Sequence, residues 1–305
     1  MRISIPSQTA LAMTALLFGC AEVPRANLLL ITMDTTRADH LGCYGYGGQT
    51  SPNIDRIARE GVRFQEVSAQ AAVTPVSHAS ILTGLNPYHH GLRALHGSAD
   101  LRLNRSARTL AGILAEAGYG TAAFISAYPA SSRFGLDRGF SHFDETFLDP
   151  AGQRTDKDGI VHTGEAQRRA DATTDAAIEW LEKTAGVPFF LWIHYFDPHD
   201  PLLLPPPAYL KLCAGNPGNE KTDLISLYDC EIYFMDAQIG RLLQQIDRPG
   251  AGNRTLVAIT ADHGEGLGDH DWWSHGILFQ EQIRLPLILR HPDLPEGRVV
   301  SDRIR

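Results

Sequence analysis

Apolar residues fall along this chain in two kinds of pattern. Continuous runs occupy Leu28 to Met33, Thr121 to Ile125, Phe189 to Ile193, Leu256 to Thr260 and Leu285 to Leu289. Runs of this length without alternation suit strands buried on both faces, as in a parallel sheet. Between them the spacing changes to three and four. Ser51-Pro52 opens a short helix with Ser51 as its N-cap, Ile54, Ile57 and Ala58 inward and Gly61 at its stop. Leu110, Ile113, Leu114 and Ala117 make a helical face closed by Gly118, and Ala170, Ala177, Ile178 and Leu181 make another before Pro188. A longer stripe runs through Leu224, Tyr228, Ile232, Met235, Ile239, Leu242 and Ile246. Strands alternating with helices predict an α/β fold, a mostly parallel central sheet with helices on both faces. Pro201 to Pro207, Gly215 to Asn219 and Asp149 to Gly164 read as loops. None of these splits the chain into two domains.

Composition adds limits. The chain has 305 residues, 43% of them apolar, which is enough to bury a substantial core. Net charge is −8 and no basic tract stands out, so nucleic acid is not an expected partner. An anion bound here must be met locally, by a metal or a few placed donors. Arg2 precedes an apolar run from Ala10 to Phe18 that is too short to span a bilayer and reads as an export signal over residues 1–20. Its end, Leu17-Phe18-Gly19-Cys20, resembles a bacterial lipobox, which implies a lipidated Cys20 and membrane attachment in the periplasm or envelope. Cys213 and Cys230 could pair after export, while Cys43 stands alone.

Three of the strand-like runs end in groups that bind metals or protons. Leu28–Met33 leads into Asp34, Phe189–Ile193 into His194, Asp197 and His199, and Leu256–Thr260 into Asp262 and His263. In a parallel sheet, ligands sit beyond the carboxyl ends of the strands, so these groups converge. A lone Asp after a strand is most often a helix cap; three such ends on one edge favour a functional cluster. The segment Thr74 to Gly84 reads as a loop entering a short helix. Backbone amides at such a start bind anions, and a hydroxyl there can attack an ester whose anionic oxygens are already held.

The sequences Asp34-Thr35-Thr36-Arg37-Ala38-Asp39-His40-Leu41-Gly42 and Ser51-Pro52-Asn53-Ile54-Asp55 resemble the opening of the sulfatases. Thr74 to Gly84 is similar to their active-site signature, and Phe196-Asp197-Pro198-His199-Asp200-Pro201 and Thr260-Ala261-Asp262-His263-Gly264-Glu265 to two further blocks. The resemblance runs from about Leu28 to the C-terminus and implies the alkaline phosphatase superfamily fold over residues 27–305. It also implies a smaller C-terminal subdomain, so the sequence is expected to be a fragment, truncated at its C-terminus, or a minimal form. It assigns Asp34, Asp262 and His263 as metal ligands, with Thr74 on the metal as nucleophile. It marks His199 as an active-site histidine, and puts His78 where arginine is usual and His275 near a cation that faces the leaving group or anion. The implied cofactor is one divalent ion, Ca²⁺ by resemblance; a histidine ligand brings in Mn²⁺ or Zn²⁺, and oxygen ligands Mg²⁺.

The departures from the family bear on the chemistry. Threonine at position 74 cannot become the formylglycine that sulfatases make from Cys or Ser. Thr35 replaces the second member of a common Asp-Asp pair, and Ser126 and Tyr128 stand where a Lys and a His are frequent. A Thr–sulfate adduct lacks the elimination route of a formylglycine hydrate, whereas water can hydrolyse a Thr–phosphate adduct. The expected activity is metal-dependent hydrolysis of a small-molecule, glycan or lipid-linked sulfate or phosphate ester, leaning toward phosphate. A phospho-group transferase using the same Thr74 adduct and a non-catalytic sulfatase-like binding protein are the other readings.

Overall fold

The computed structural model describes residues 25–93, 102–147, 153–155, 161–163, 166–184, 186–199, 203–213, 220–248 and 254–305. The expected export segment, Cys20 and the Gly215–Asn219 loop lie outside them. In chain order the elements are β1 (Asn27–Met33), α1 (Pro52–Arg59), β2 (Val62–Ser68), α2 (Thr74–Thr83), α3 (Pro87–His90) and α4 (Leu110–Glu116). Then come β3 (Gly120–Ile125), β4 (His142–Asp144), β5 (Gln153–Thr155), β6 (Val161–Thr163), α5 (Ala170–Lys183) and β7 (Phe189–Tyr195). The chain continues through α6 (Pro207–Cys213), α7 (Glu220–Ile246), β8 (Thr255–Ala261), α8 (Gln280–Ile283), β9 (Arg284–Arg290) and β10 (Arg298–Val300). Eight strands form one sheet in the order β10-β2-β9-β8-β1-β7-β3-β4. All pairs are parallel except those of β9, which runs antiparallel to β2 and β8. The fifth strand-like run, Leu285–Leu289, is therefore the antiparallel one. Part of the expected loop from Asp149 to Gly164 forms the short β5–β6 hairpin.

The parity of the central strands explains both the core and the site. On β1, Leu29, Ile31 and Met33 pack with Leu191, Ile193 and Tyr195 of β7 against α1, α5 and α7. Leu30, Phe190 and Trp192 point the other way and pack under α2 and the residues around α4. All seven residues of β7 are buried, which accounts for its unbroken apolar run. Beyond Leu30, the same parity puts Thr32 and Asp34 on the α2 side, and beyond Trp192 it puts His194 there, with Thr32 and His194 in register.

Three local expectations are corrected, at Ser51, Ile113 and Leu224. Ser51 stands at the N-cap of α1 but does not cap it; its hydroxyl bonds Asp55 instead. The first amides of α1 are met from α7, where the Asp236 carboxylate accepts from Asn53 and Ile54 at 2.8–3.1 Å. Ile113 and Leu224, expected on buried stripes, are exposed, and Ala111 is the fully buried residue of α4. Cys230 is disulfide-bonded and Cys43 free; the side chain of Cys213 lies outside the described residues. Among the described residues, no helix is long and apolar enough to cross a membrane.

Candidate metal and ester site

Asp34 follows β1, while Asp262 and His263 follow β8; β1 and β8 are parallel neighbours, so their carboxyl ends bring these side chains together. One ligand atom from each lies within 4.8 Å of the others, and all three residues are fully buried. Donors around a single divalent ion, each at roughly 2.0–2.6 Å from it, span such a distance. The protonation pattern also fits a cation. His263 is held neutral, its pKa lowered to about 3 by burial and by His275. Its Nδ1–H donates to the Gly264 carbonyl at 3.0 Å. Its bare Nε2 then faces Asp262 Oδ2 at 3.3 Å, and that buried oxygen accepts no hydrogen bond. Two lone pairs so placed repel one another unless a positive charge lies between them. Burial also raises the Asp262 carboxyl above the ordinary range.

Thr74 is the first residue of α2, and its Oγ1 lies 3.2 Å from His263 Nε2. Pro75 supports the helix start, and Gly84, with φ 66°, ends the helix in a left-handed cap. Thr74 and His78 share one face of α2. His78 is fully buried and its ring nitrogens are both engaged: Nδ1 with the Thr74 carbonyl at 2.8 Å, Nε2 with Thr32 Oγ1 at 3.0 Å. Trp192 Nε1–H donates to the same Thr32 oxygen at 3.0 Å. The relay from Trp192 through Thr32 and His78 to the Thr74 backbone fixes where the hydroxyl sits. Ser77 ties α2 to β8 through a 2.6 Å bond to the Asp262 carbonyl.

His194 completes the floor of the site. Its Nδ1 accepts from the Ser126 amide at 3.3 Å, so its Nε2–H donates to Asp34 Oδ2 at 3.0 Å. Burial, then the neighbouring His78, pushes its pKa well below the usual imidazole range. Ser126 carries no charge into the site; its hydroxyl donates to the His194 carbonyl. Tyr128 is exposed. Asp197, in the middle of a sequence block that reads as chemical, is structural here. It accepts from the Ala170 amide at the start of α5, and burial lifts its pKa to about 7.

His199 and His275 form the wall beyond Thr74. The His275 ring lies 4.6 Å from that of His263 and 5.0 Å from that of His199, which stacks on Phe196 at 4.1 Å. Glu265 orients His275 through a 3.1 Å contact to Nδ1. All four expected catalytic residues and all four expected metal ligands thus occupy one region. The sequence marks His194 as a strand-end group and Thr35 as the replacement in a common Asp-Asp pair, without a role at the site for either. His194 was visible only as the end of a strand. Thr35 has φ 49°, a left-handed conformation unfavourable for a β-branched side chain. Its buried hydroxyl has no hydrogen-bond partner, while its amide donates to Asp262 Oδ1 and its carbonyl accepts from Tyr228.

Comparison with known proteins gives the family and the fold. The sulfatase family model matches residues 26–304. Human iduronate 2-sulfatase is 28% identical over 338 residues, an alignment covering 90% of this chain and 60% of that protein. The N-acetylglucosamine-6-O-sulfatase of Bacteroides thetaiotaomicron is 24% identical over 399 residues, covering 99% and 70%. Among solved structures, the phosphonate monoester hydrolase of Agrobacterium radiobacter superposes with a TM-score of 0.72 at 21% identity, covering 91% of this chain and 70% of that one. A protein solved with its substrate D-glucosamine-2-N,6-O-disulfate gives 0.73 at 23% identity, covering 92% and 74%. The chain spans about 60% of the length of the iduronate 2-sulfatases it matches. With the family model matched over nearly its whole described length, the chain belongs to the sulfatase family.

Proposed function

We propose that this chain is a metal-dependent hydrolase of phosphate or sulfate esters, with Thr74 as nucleophile and a preference for phosphate. The observation that carries the reading is the Thr74 hydroxyl, 3.2 Å from His263 Nε2 at the edge of the Asp34–Asp262–His263 cluster. Asp34, Asp262, His263 and Thr74 would hold the ion. A divalent cation there would lower the pKa of the hydroxyl and brace charge on the ester oxygens. The chain's own residues do the rest. The relay through His78 fixes Thr74, and His194 fixes Asp34. Thr74 Oγ gives up its proton to solvent and forms its bond to phosphorus or sulfur as the bond to the alcohol oxygen breaks; His275 gives that oxygen a proton, and His199, whose pKa burial pushes well below the usual imidazole range, faces the anion as a neutral donor. Water then cleaves the Thr74 adduct and restores the hydroxyl, a step open to a phosphate ester and unfavourable for a sulfate ester that cannot leave by elimination.

Relatives named for sulfate esters and a structural neighbour named for phosphonate monoesters support an ester substrate with a tetrahedral anionic centre. The lipobox-like Leu17–Cys20 supports placing the reaction outside the cytoplasm, on a lipid-anchored enzyme. The test is a panel of nitrophenyl sulfate, nitrophenyl phosphate and a nitrophenyl phosphodiester with wild type, Thr74→Ala and Thr74→Ser. Thr74→Ala is expected to lose at least about a thousandfold in turnover, and Thr74→Ser to retain measurable activity. Faster sulfate than phosphate turnover would overturn the phosphate preference. Full activity in Thr74→Ala would overturn the nucleophile.

A further inference from the structure

A second group of charged side chains lies beside the loop that carries His263. Gly264 follows that residue, and its amide donates to the Gln282 carbonyl at 2.8 Å. A side chain at Gly264 would collide with the Glu281 carbonyl, so the first turn of α8 sits directly against the loop. Glu281 lines a cavity of about 310 Å³ together with Arg37, Asp39, Asp269, His270 and Arg284. Three carboxylates there face two guanidinium groups, which leaves one negative charge in excess.

The excess charge falls on Glu281. Arg37 is committed elsewhere: Nε and Nη2 donate to Asp39 at 3.0 and 2.8 Å, and Nη1 to Asp269 at 2.8 Å and to the Glu265 and Gly266 carbonyls at 3.3 Å. The Glu281 side chain is only 9% exposed, yet its buried Oε1 accepts no hydrogen bond. His270 Nε2 lies 3.8 Å from that oxygen, beyond hydrogen-bond reach, and its ring is held in a stack on Phe279. Arg284 has the converse deficiency. Its Nε is buried and donates to nothing, and its Nη2 reaches only the Gln65 carbonyl at 3.5 Å. A buried acceptor and a buried donor that do not meet each carry a desolvation cost. The carboxylates and His270 do not converge as metal ligands; among the described residues the three-ligand cluster is Asp34, Asp262 and His263. An organic cation, larger than a metal ion, suits the space.

We propose that this cavity is a second binding site, separate from the Thr74 site, for a small primary amine that carries an oxygen next to its ammonium group, as an amino alcohol does. The ammonium group donates to Glu281 and offsets the excess charge, and the neighbouring oxygen accepts from Arg284 Nε. Both are charge-assisted bonds, made to groups already out of water. Asp39 and Asp269, at the exposed rim, favour approach of a cation. The site does not depend on Thr74 being a nucleophile.

The test titrates ethanolamine into the full chain, metal-free in chelator, by calorimetry and by the shift in melting temperature. Saturation by roughly 10 mM is expected, within reach of so small a ligand. Glu281→Gln keeps the shape of the side chain and removes its charge, so its Kd is expected to rise about tenfold or more. Its melting temperature without amine shows that the variant is folded. Ethylammonium, which lacks the oxygen, is expected to bind several-fold more weakly, and tetramethylammonium, which has no N–H, not to bind. The proposal is overturned by the absence of saturable binding, by equal binding of tetramethylammonium, or by an unchanged Kd in Glu281→Gln. A response that appears only once metal is added also overturns it, because the amine then sits on the ion of the Asp34 cluster. Equal binding of ethylammonium overturns the part given to Arg284. Vesicles of phosphatidylethanolamine and of phosphatidylcholine distinguish the source of the amine: selective retention on the former assigns a lipid headgroup, and no retention a free amine.

Discussion

Asp262→Asn should make the metal-free protein more stable and at the same time remove its response to metal. The Asp262 carboxylate is fully buried. Its Oδ1 accepts from the amides of Thr35 at 3.2 Å and His263 at 2.8 Å, which an asparagine oxygen can also do. Its Oδ2 accepts no hydrogen bond and faces the bare His263 Nε2 at 3.3 Å. In Asp262→Asn an N–H replaces that oxygen and can donate to the imidazole nitrogen. Exchanging a buried unsatisfied acceptor for a bonded donor is worth on the order of 1–3 kcal/mol. At about 2 °C per kcal/mol for a chain of this size, the melting temperature in chelator should rise by roughly 2–6 °C. A cation at a hundred times its Kd stabilises wild type by about 2.7 kcal/mol, or roughly 5 °C, and this gain should vanish in the variant. Thermal unfolding in chelator and in excess Mn²⁺ or Ca²⁺ measures both effects. A variant less stable than wild type in chelator would refute the account of the lone-pair contact. A variant that keeps the full metal shift would refute the metal site.

Two further outcomes follow from buried groups outside that contact. Thr35→Gly removes a left-handed β-branched residue and a buried unpaired hydroxyl, at the cost of extra freedom in the unfolded chain, and should stabilise the metal-free protein by about 1 kcal/mol; denaturant unfolding in chelator checks this, and a loss of stability would contradict it. Asp236 should give a pH signature, because burial raises its pKa from 3.8 to about 6. The folded state therefore holds the proton more tightly than the unfolded state, so the contribution of this group is fully present at low pH and is lost as pH rises from about 4 through 6. Asp236→Asn should flatten that fall while still capping α1, and urea titrations from pH 4 to 7 showing identical slopes in both proteins would exclude it.

The sequence was most legible where a residue's neighbours along the chain decide its fate. Phe189–Ile193 reads as a two-face-buried strand because every side chain in it is buried. Asp34, Asp262 and His263 were legible because strands of one direction end on one edge, a rule that needs no knowledge of sheet order. What could not be read depends on contacts made across the chain. Ser51 has the identity and place of a cap, yet Asp236, from a helix that begins more than 160 residues later, does the capping. Ile113 and Leu224 follow the helical period, but periodicity marks a face without saying what covers it. β9 ends up antiparallel because its pairing follows from strand order, which an apolar run does not encode.

The residues missed at the site share a physical feature that separates them from those that were found. His194 and Thr35 are not among the proposed ligands; they bond the carboxylates that are. His194 was legible as a strand-end group, but only the register Thr32–His194 places it beside Asp34. Thr35 was hidden because its anomaly is a torsion and an unpaired hydroxyl, neither of which has a sequence signal. One of them is unfavourable for folding taken alone, since Thr35 is strained and its hydroxyl unsatisfied, whereas the buried His194 has both ring nitrogens bonded. They lie within reach of a carboxylate that accepts too few bonds and an imidazole facing it without a proton. At the carboxyl ends of β1, β7 and β8 such costs coincide with three side chains close enough to share an ion. That coincidence, more than any single motif, points to the chemistry, because a bound ion or substrate would relieve the local conflict that a marginally stable fold otherwise carries as a cost.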